Sequence, residues 1–331
     1  MSLALVTGGA GFIGSHLVEG LLGRGHRVHV IDDLSTGDRA NLKDVEASDC
    51  FELTVGTILD EPLVESAVAR ADIVYHLAAA VGVRRVLEQP LASLETNLRG
   101  TDVVLAAADR HRKPVLVAST SEVYGKNDSG PLSEDDDRVL GSSRIARWHY
   151  ATAKAADEAL ALAYYDERRL PTMIVRFFNT IGPRQKGRYG MVAPRFVMQA
   201  LRNEPVTVYG DGQQTRCFTY VGDVVRALLA LAETEGAWGD VFNIGRPDEI
   251  KIQDLAARVI ELTGSHSQIV NVSYDEAYPG GFEDMRRRVP NVDKLRGTIG
   301  YAPDTSLDTA LRHIIEERRM QLTRSDGDDP A

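Results

Sequence analysis

The chain has only two cysteines in 331 residues, far apart at Cys50 and Cys217. They form neither a metal-ligand spacing nor a disulfide framework, which points to a reducing compartment and to no bound metal. A basic surplus is missing too: 38 Lys and Arg face 48 Asp and Glu, a formal net charge of −10. With no basic tail or stripe to offset that balance, nucleic acid is excluded as a general partner. No apolar run approaches membrane-spanning length, and no internal repeat appears. An apolar strand pattern begins at Leu3, so no signal peptide is expected and the expected location is cytoplasmic. What is present is an ordinary globular composition, 43% hydrophobic and 26% charged, long enough for a large core and a subdomain.

The most informative stretch is Thr7-Gly-Gly-Ala-Gly-Phe-Ile-Gly14, which follows the apolar run Leu3 to Val6. Gly8, Gly11 and Gly14 mark a tight turn from a buried strand into a helix opening at Phe12 and Ile13. Such a turn lets backbone approach a pyrophosphate, and the helix N-terminus adds unpaired N–H groups and partial positive charge. A second strand, Arg27 to Ile31, ends in Asp32-Asp33, and Asp32 lies 18 residues past Gly14. That spacing suits the carboxylate that binds adenosine ribose hydroxyls in a Rossmann unit. The acidic pair would repel a 2′-phosphate and no arginine follows at once, so NAD is favoured over NADP, with Leu34 and Ser35 beside it. A purely structural strand-to-helix corner is the poorer reading.

Strands and helices alternate through the first half. Strands are expected at Cys50 to Val55, Ile73 to Ala79, Pro114 to Ser119 and Thr172 to Phe177, with helices at Pro62 to Ala69, Pro90 to His111 and Tyr150 to Arg168. This pattern predicts an α/β fold, a doubly wound parallel sheet over residues 1–180 with ligands at the carboxyl ends of its strands. After residue 180 the chain becomes loop-like and basic (Gly182 to Gly190), and a smaller C-terminal α/β lobe is expected over 181–321. A strand near 239–245 should return to the main sheet, and 322–331 reads as a flexible tail.

Tyr150-Ala-Thr-Ala-Lys154 puts a phenol and an ammonium on one helix face. A neighbouring ammonium and a bound nicotinamide cation both favour the phenolate, bringing Tyr toward use as a base. Alone, such a pair is more often an accident of helical spacing; its place after a nucleotide-binding half reverses that. Ser119-Thr120-Ser121-Glu122 ends a predicted strand, where hydroxyls face the ligand crevice, although one of them should only cap a turn.

The chain resembles the extended short-chain dehydrogenase/reductases of the nucleotide-sugar epimerase, dehydratase and decarboxylase family. The resemblance rests on T-G-G-A-G-F-I-G, H-L-A-A (His76 to Ala79), S-T-S-E-V-Y-G, Y-A-T-A-K, R-F-F-N (Arg176 to Asn179), G-P-R (Gly182 to Arg184) and Q-T-R-C-F-T-Y-V-G-D (Gln214 to Asp223), in family order over nearly the whole chain. It implies that Thr120 and Tyr150 engage the sugar 4-hydroxyl, with Tyr150 as base and Lys154 holding its phenolate and the nicotinamide ribose. Leu77, Ala78, Ala79 and Asn97 would line the NAD site. Ser121, Asn179, Arg188, Val192, Tyr209 and Arg216 would meet the nucleotide sugar, and Asp284 with Arg287 would close over the nucleotide. The helices 90–111 and 150–168 resemble the pair with which relatives form a dimeric four-helix bundle, with Ala151, Ala155, Ala156 and residues 159–163 as a smooth surface. Many relatives carry Gly-Asp after the third strand where this chain has Gly56-Thr57, a departure that bears on one adenine contact and not on NAD binding itself.

The reaction expected is NAD-dependent 4-epimerisation of a UDP-hexose or UDP-hexuronate, UDP-glucuronate first, through a 4-keto intermediate. It is ranked ahead because epimerases are common and because the longer Cys-Tyr-Asp-Glu-type approach to the catalytic tyrosine is missing. The alternative is UDP-glucuronate decarboxylation, suggested by Thr120-Ser121-Glu122 and Arg147-Trp148-His149; Glu122 would then act on the sugar. A 4,6-dehydratase is disfavoured because Ser121 stands where an acid is needed, and a non-catalytic NAD-binding regulator because Thr120, Tyr150 and Lys154 are all present.

Overall fold

A computed structural model describes residues 1–187, 191–277, 283 and 285–327. Seven parallel strands form the main sheet: β1 (Leu3–Thr7), β2 (Arg27–Asp32), β3 (Phe51–Val55), β4 (Ile73–His76), β5 (Val115–Thr120), β6 (Thr172–Phe177) and, after four short strands, β11 (Val241–Ile244). Their spatial order is β11-β6-β5-β4-β1-β2-β3. Chain progress reverses direction between β1 and β4, and a crevice opens beyond the carboxyl ends of those strands. The sheet strands are near-continuous apolar runs because helices cover both faces. On one face lie α2 (Glu61–Arg70), α4 (Pro90–His111) and α5 (His149–Arg168), over Leu5, Val74, Val117 and Ile174. On the other lie α1 (Phe12–Gly23), α7 (Val221–Ala232) and α10 (Asp293–Ile299), over Val6, Val28, Leu116 and Phe242. The short α3 (Val83–Glu88) precedes α4.

Local chemistry sets several boundaries. Asp60 caps α2 by accepting the Leu63 N–H at 3.1 Å, and Pro90 starts α4, where a missing N–H costs nothing. α1 differs, since Gly11 supplies no side-chain cap. Its first-turn donors therefore face the crevice.

A second lobe packs beside the crevice. It comprises β7 (Thr180–Ile181), β8 (Val206–Tyr209), β9 (Thr215–Cys217), β10 (Thr219–Tyr220), β12 (Glu249–Lys251) and β13 (Ile269–Val272), with α6 (Val192–Leu201), α8 (Ile252–Thr263), α9 (Tyr274–Ala277) and α11 (Leu307–Gly327). Phe196, Val206, Val208, Leu255, Val259 and Ile314 form its core. The strand expected over 239–245 pairs with β6 as the last strand of the main sheet. α11 runs to Gly327, well into the stretch expected as a flexible tail. No helix among the described residues is long and apolar enough to cross a membrane.

Candidate active site

The glycine-rich turn forms one wall of the crevice. Gly8 has φ +73°, and a Cβ there would stand 2.7 Å from the Ala78 backbone nitrogen; at Gly14 it would stand 2.1 Å from the Gly8 carbonyl oxygen. Both positions tolerate hydrogen alone, so the turn stays open to a bulky ligand. Asp32, at the end of β2, accepts the Ala10 N–H at 2.9 Å and the Leu34 N–H at 2.8 Å. Burial raises its carboxyl above the ordinary value, against the pull of those two amides. Gly8, Gly11, Phe12, Ile13, Gly14, Asp32, Asp33 and Ser35 line this part of the cavity, and Leu77, Ala78 and Ala79 line the opposite side. Leu34 instead packs on the apolar core with φ +57°. Asn97 is also not in the lining: buried on α4, its side chain brackets Ala80, accepting the N–H at 2.8 Å and donating to the carbonyl at 3.3 Å. It holds up the loop that follows β4.

Thr120, Ser121, Glu122 and Tyr150 meet at the deep end of this cavity, where a second hollow opens toward the smaller lobe. Thr120 ends β5 and caps the short 3₁₀ turn Ser121–Tyr124, its Oγ1 accepting the Glu122 N–H at 3.2 Å. A buried ion pair anchors that turn. Arg176 on β6 grips Glu158 of α5 through two bonds of 2.9 and 2.8 Å, and its Nη1 reaches the Tyr124 hydroxyl at 2.8 Å. Tyr124 donates in turn to Asn243 Oδ1 at 2.8 Å.

Tyr150 lies on the first turn of α5, and its hydroxyl has no hydrogen-bond partner among the described residues. Burial first, and then the charges of Glu122 and Asp157, hold the phenol above its ordinary value; Arg147 pulls the other way. Lys154 is almost wholly buried one turn further on and donates to Asp157 at 2.8 Å.

Glu122 is the centre of charge. Arg147 donates to both its oxygens, at 2.5 and 3.0 Å, and Arg288 approaches at 3.6 Å. Burial alone would lift this carboxyl, but Arg147, Arg288 and Arg216 outweigh it and hold Glu122 below its ordinary value. An ionised carboxylate gripped by guanidinium groups therefore borders the same space as the Tyr150 phenol.

The second hollow is walled by Asn179, Val192, Tyr209 and Arg216, as the sequence predicts, and by Arg195 and Tyr274, which sequence reading does not find. The Arg195 guanidinium lies 3.9 Å from the Tyr209 ring centroid, a stacked plate at the hollow's edge. Asn179 takes φ +31° so that its Oδ1 can accept from Arg288 at 2.6 Å while its Nδ2 donates to the Cys217 carbonyl. Arg287 points elsewhere and pairs with Glu249 at 2.6 Å. Of three consecutive arginines, Arg288 faces the site, while Arg286 pairs with Asp211 and Arg287 with Glu249. The expected roles of Arg188 and Asp284 fall outside the described residues. Arg147 is the other addition, placed by the 3₁₀ turn Ala146–Trp148 just before α5.

Relatives match along almost the whole chain. The UDP-N-acetyl-α-D-glucosaminuronate decarboxylase of Bacillus cytotoxicus is 44% identical over 313 residues, 94% of this chain and 96% of that protein. UDP-glucuronic acid decarboxylase 1 of Xenopus tropicalis is 35% identical, covering 96% of this chain and 72% of its own. Among solved structures, the UDP-glucose 4-epimerase of Thermotoga maritima with UDP-glucose superposes with a TM-score of 0.87 at 32% identity, over 97% of this chain and 99% of that one.

These relatives overturn the expectation of a 4-epimerase, since the stronger sequence matches are decarboxylases and the epimerase likeness is more distant. The expectation leaned on a missing motif before Tyr150. In this chain Arg147-Trp148-His149 stands before Tyr150, and Arg147 reaches Glu122. The model of the NAD dependent epimerase/dehydratase family matches residues 4–245, from the glycine-rich turn to the returning strand, and the chain belongs to that family.

Proposed function

We propose that the chain is an NAD-dependent UDP-hexuronate decarboxylase. The observation that carries this reading is the buried Glu122 carboxylate, gripped by Arg147 and flanked by Arg288, beside the Tyr150 phenol. Residues 1–180 with the returning strand would hold NAD, and the smaller lobe the nucleotide. The open turn at Gly8 and Gly14, the uncapped start of α1 and the buried Asp32 fit a dinucleotide, and Asp32-Asp33 favours NAD over NADP. When bound, NAD supplies reversible hydride exchange at C4.

The residues supply the remainder. Thr120 and Tyr150 hold the sugar 4-hydroxyl, and Tyr150 takes its proton as C4 becomes a ketone; Lys154 stabilises the phenolate. The C6 carboxylate is now β to that ketone. Arg288 and Arg147 would attract it, while Glu122, which takes two Arg147 donors, would face it as a like charge and leave the substrate carboxylate poorly paired. The C5–C6 bond breaks, CO2 leaves, and its electron pair passes into the enolate at O4, next to Tyr150-OH. A proton from solvent would reach C5, and Tyr150 would give its proton back to O4 as C4 regains its hydrogen, which completes a UDP-pentose. Tyr209 and Arg195, stacked at the hollow's edge, would meet the base, and Arg216 in its wall would meet the diphosphate.

The 44% relative supports a 2-acetamido hexuronate as the first substrate to assay, with UDP-glucuronate second. Incubation with each, followed by mass spectrometry of the nucleotide sugar, tests the reading: loss of CO2 from either supports it, and an isomer of unchanged mass refutes it.

The dimer is proposed on the face of α4 and α5. Leu91 and Leu98 are exposed on α4, and Ala156, Ala159 and Ala163 on α5, whereas Ala151, Ala155 and Ala161 pack inward. A second copy of this helix pair would complete a four-helix bundle.

A further inference from the structure

Behind the Tyr150–Lys154 pair runs a buried polar chain that the proposed reaction does not use. Lys154 Nζ donates to Asp157 Oδ2 at 2.8 Å, and the two side chains are 3% and 1% exposed. Asp157 also accepts from the Thr101 hydroxyl of α4. Thr101 Oγ1 lies 3.2 Å from His76 Nε2, His76 Nδ1 lies 2.8 Å from Thr7 Oγ1, and Thr7 Oγ1 accepts the Ala78 N–H at 3.2 Å.

Only one arrangement of protons satisfies every link. Asp157 as a carboxylate can only accept, so Thr101 donates to it and accepts from His76 Nε2–H; Nδ1 then accepts from Thr7, whose oxygen is left for Ala78. Burial, and then the Lys154 charge, push His76 down to about 3, so it stays neutral and this arrangement persists. The chain thus ties the catalytic helix to Ala78, which closes against Gly8 at the floor of the dinucleotide crevice.

We propose that Asp157 is a positioning residue for the Tyr150–Lys154 pair: held from behind by Thr101, His76 and Thr7, its carboxylate clamps the Lys154 ammonium and offsets its charge, so that Tyr150 gives up its proton only beside the cofactor's cation. This inference rests on the reading of Tyr150 as the base. The other charges around Tyr150 are accounted for. Glu122 and Arg147 face it from the 3₁₀ turns, with Arg288 and Arg216 beyond Glu122, while Glu158, next to Asp157, is taken up by Arg176 and Ser119. A cation one helical turn from a phenol would by itself promote ionisation. Here a buried anion sits on that cation, and it also raises the phenol directly.

The test is the titration of Tyr150 in NAD-loaded protein labelled with ¹³Cζ-tyrosine, its resonance assigned by its loss in Tyr150→Phe. In Asp157→Asn the midpoint moves down by about one pH unit, or Tyr150 titrates where the wild type stays protonated. The acid limb of kcat moves the same way, and Asp157→Glu, which keeps the charge, stays near the wild type. If the amide variant does not fold, Asp157→Ser gives the same readout. An unmoved Tyr150 midpoint in a folded neutral variant overturns the proposal, whatever happens to turnover. The titration needs no substrate, so a wild type inert toward every UDP-hexuronate would refute the decarboxylase reading and leave this test standing.

Discussion

Replacing Glu122 by Gln separates oxidation at C4 from loss of CO2. The carboxylate receives two Arg147 bonds and the approach of Arg288, and Arg147 is itself 5% exposed, so removing the charge strands a buried guanidinium. Breaking such a pair costs about 3 kcal/mol, the low end of its usual range, because the amide oxygen still accepts one bond. The melting temperature should fall by roughly 4 °C. The pH dependence carries a sign. Because Glu122 is held below its ordinary value when folded, its stabilisation is present above the unfolded carboxylate range and is lost as pH falls through the depressed folded value. The stability gap between Glu122→Gln and wild type should therefore close in acid. For the chemistry, Thr120, Tyr150 and Lys154 are untouched, so absorbance at 340 nm should still report the first oxidation, while ¹⁴CO2 release from C6-labelled substrate falls on the order of 10²–10³-fold. Release within tenfold of wild type, in a variant that is folded and binds NAD, would refute the role given to Glu122.

Tyr150→Phe should keep fold and NAD and lose on the order of 10²–10⁴-fold in kcat, the range of a general base, checked by steady-state product assay. Asp32→Ala frees the Ala10 and Leu34 amides and removes the acid at the adenosine end; NAD affinity by calorimetry should drop about tenfold or more, with no preference for NADP emerging. Arg288→Ala should raise KM and lower kcat together, whereas Arg287→Ala should leave both within about twofold, since its pair with Glu249 is half-exposed. Leu98→Glu, on the exposed face of α4, should halve the mass seen by light scattering; an unchanged dimer would place the interface elsewhere.

The sheet and its crevice were legible because their signals are local. A glycine that admits no Cβ and an aspartate at a strand end fix the glycine-rich turn within the first 33 residues. The same holds for Tyr150 and Lys154, one turn apart on one helix. The charge cluster that bears on the reaction was harder to read, because it is assembled from distant pieces. Arg147 and Glu122 are 25 residues apart, and Arg288 reaches across from a stretch that follows the lobe's last strand. Nothing in Arg286-Arg287-Arg288 tells which side chain turns inward. Asn97 carries a cofactor-site signature by position, yet its amide is spent on Ala80, a distinction that only the fold makes. Thr120-Ser121-Glu122 and Arg147-Trp148-His149 are visible in the sequence, but nothing local says that Arg147 and Glu122 meet, and it was the relatives that turned the expectation from epimerase to decarboxylase.

The most direct measurement is ¹³C NMR of the protein with NAD and UDP-hexuronates labelled at C6, the 2-acetamido form and UDP-glucuronate in parallel. The account predicts that label leaves the sugar as CO2 and bicarbonate while a UDP-pentose accumulates. Label retained at C6 in a C4-inverted hexuronate, or no change in either substrate, would contradict it.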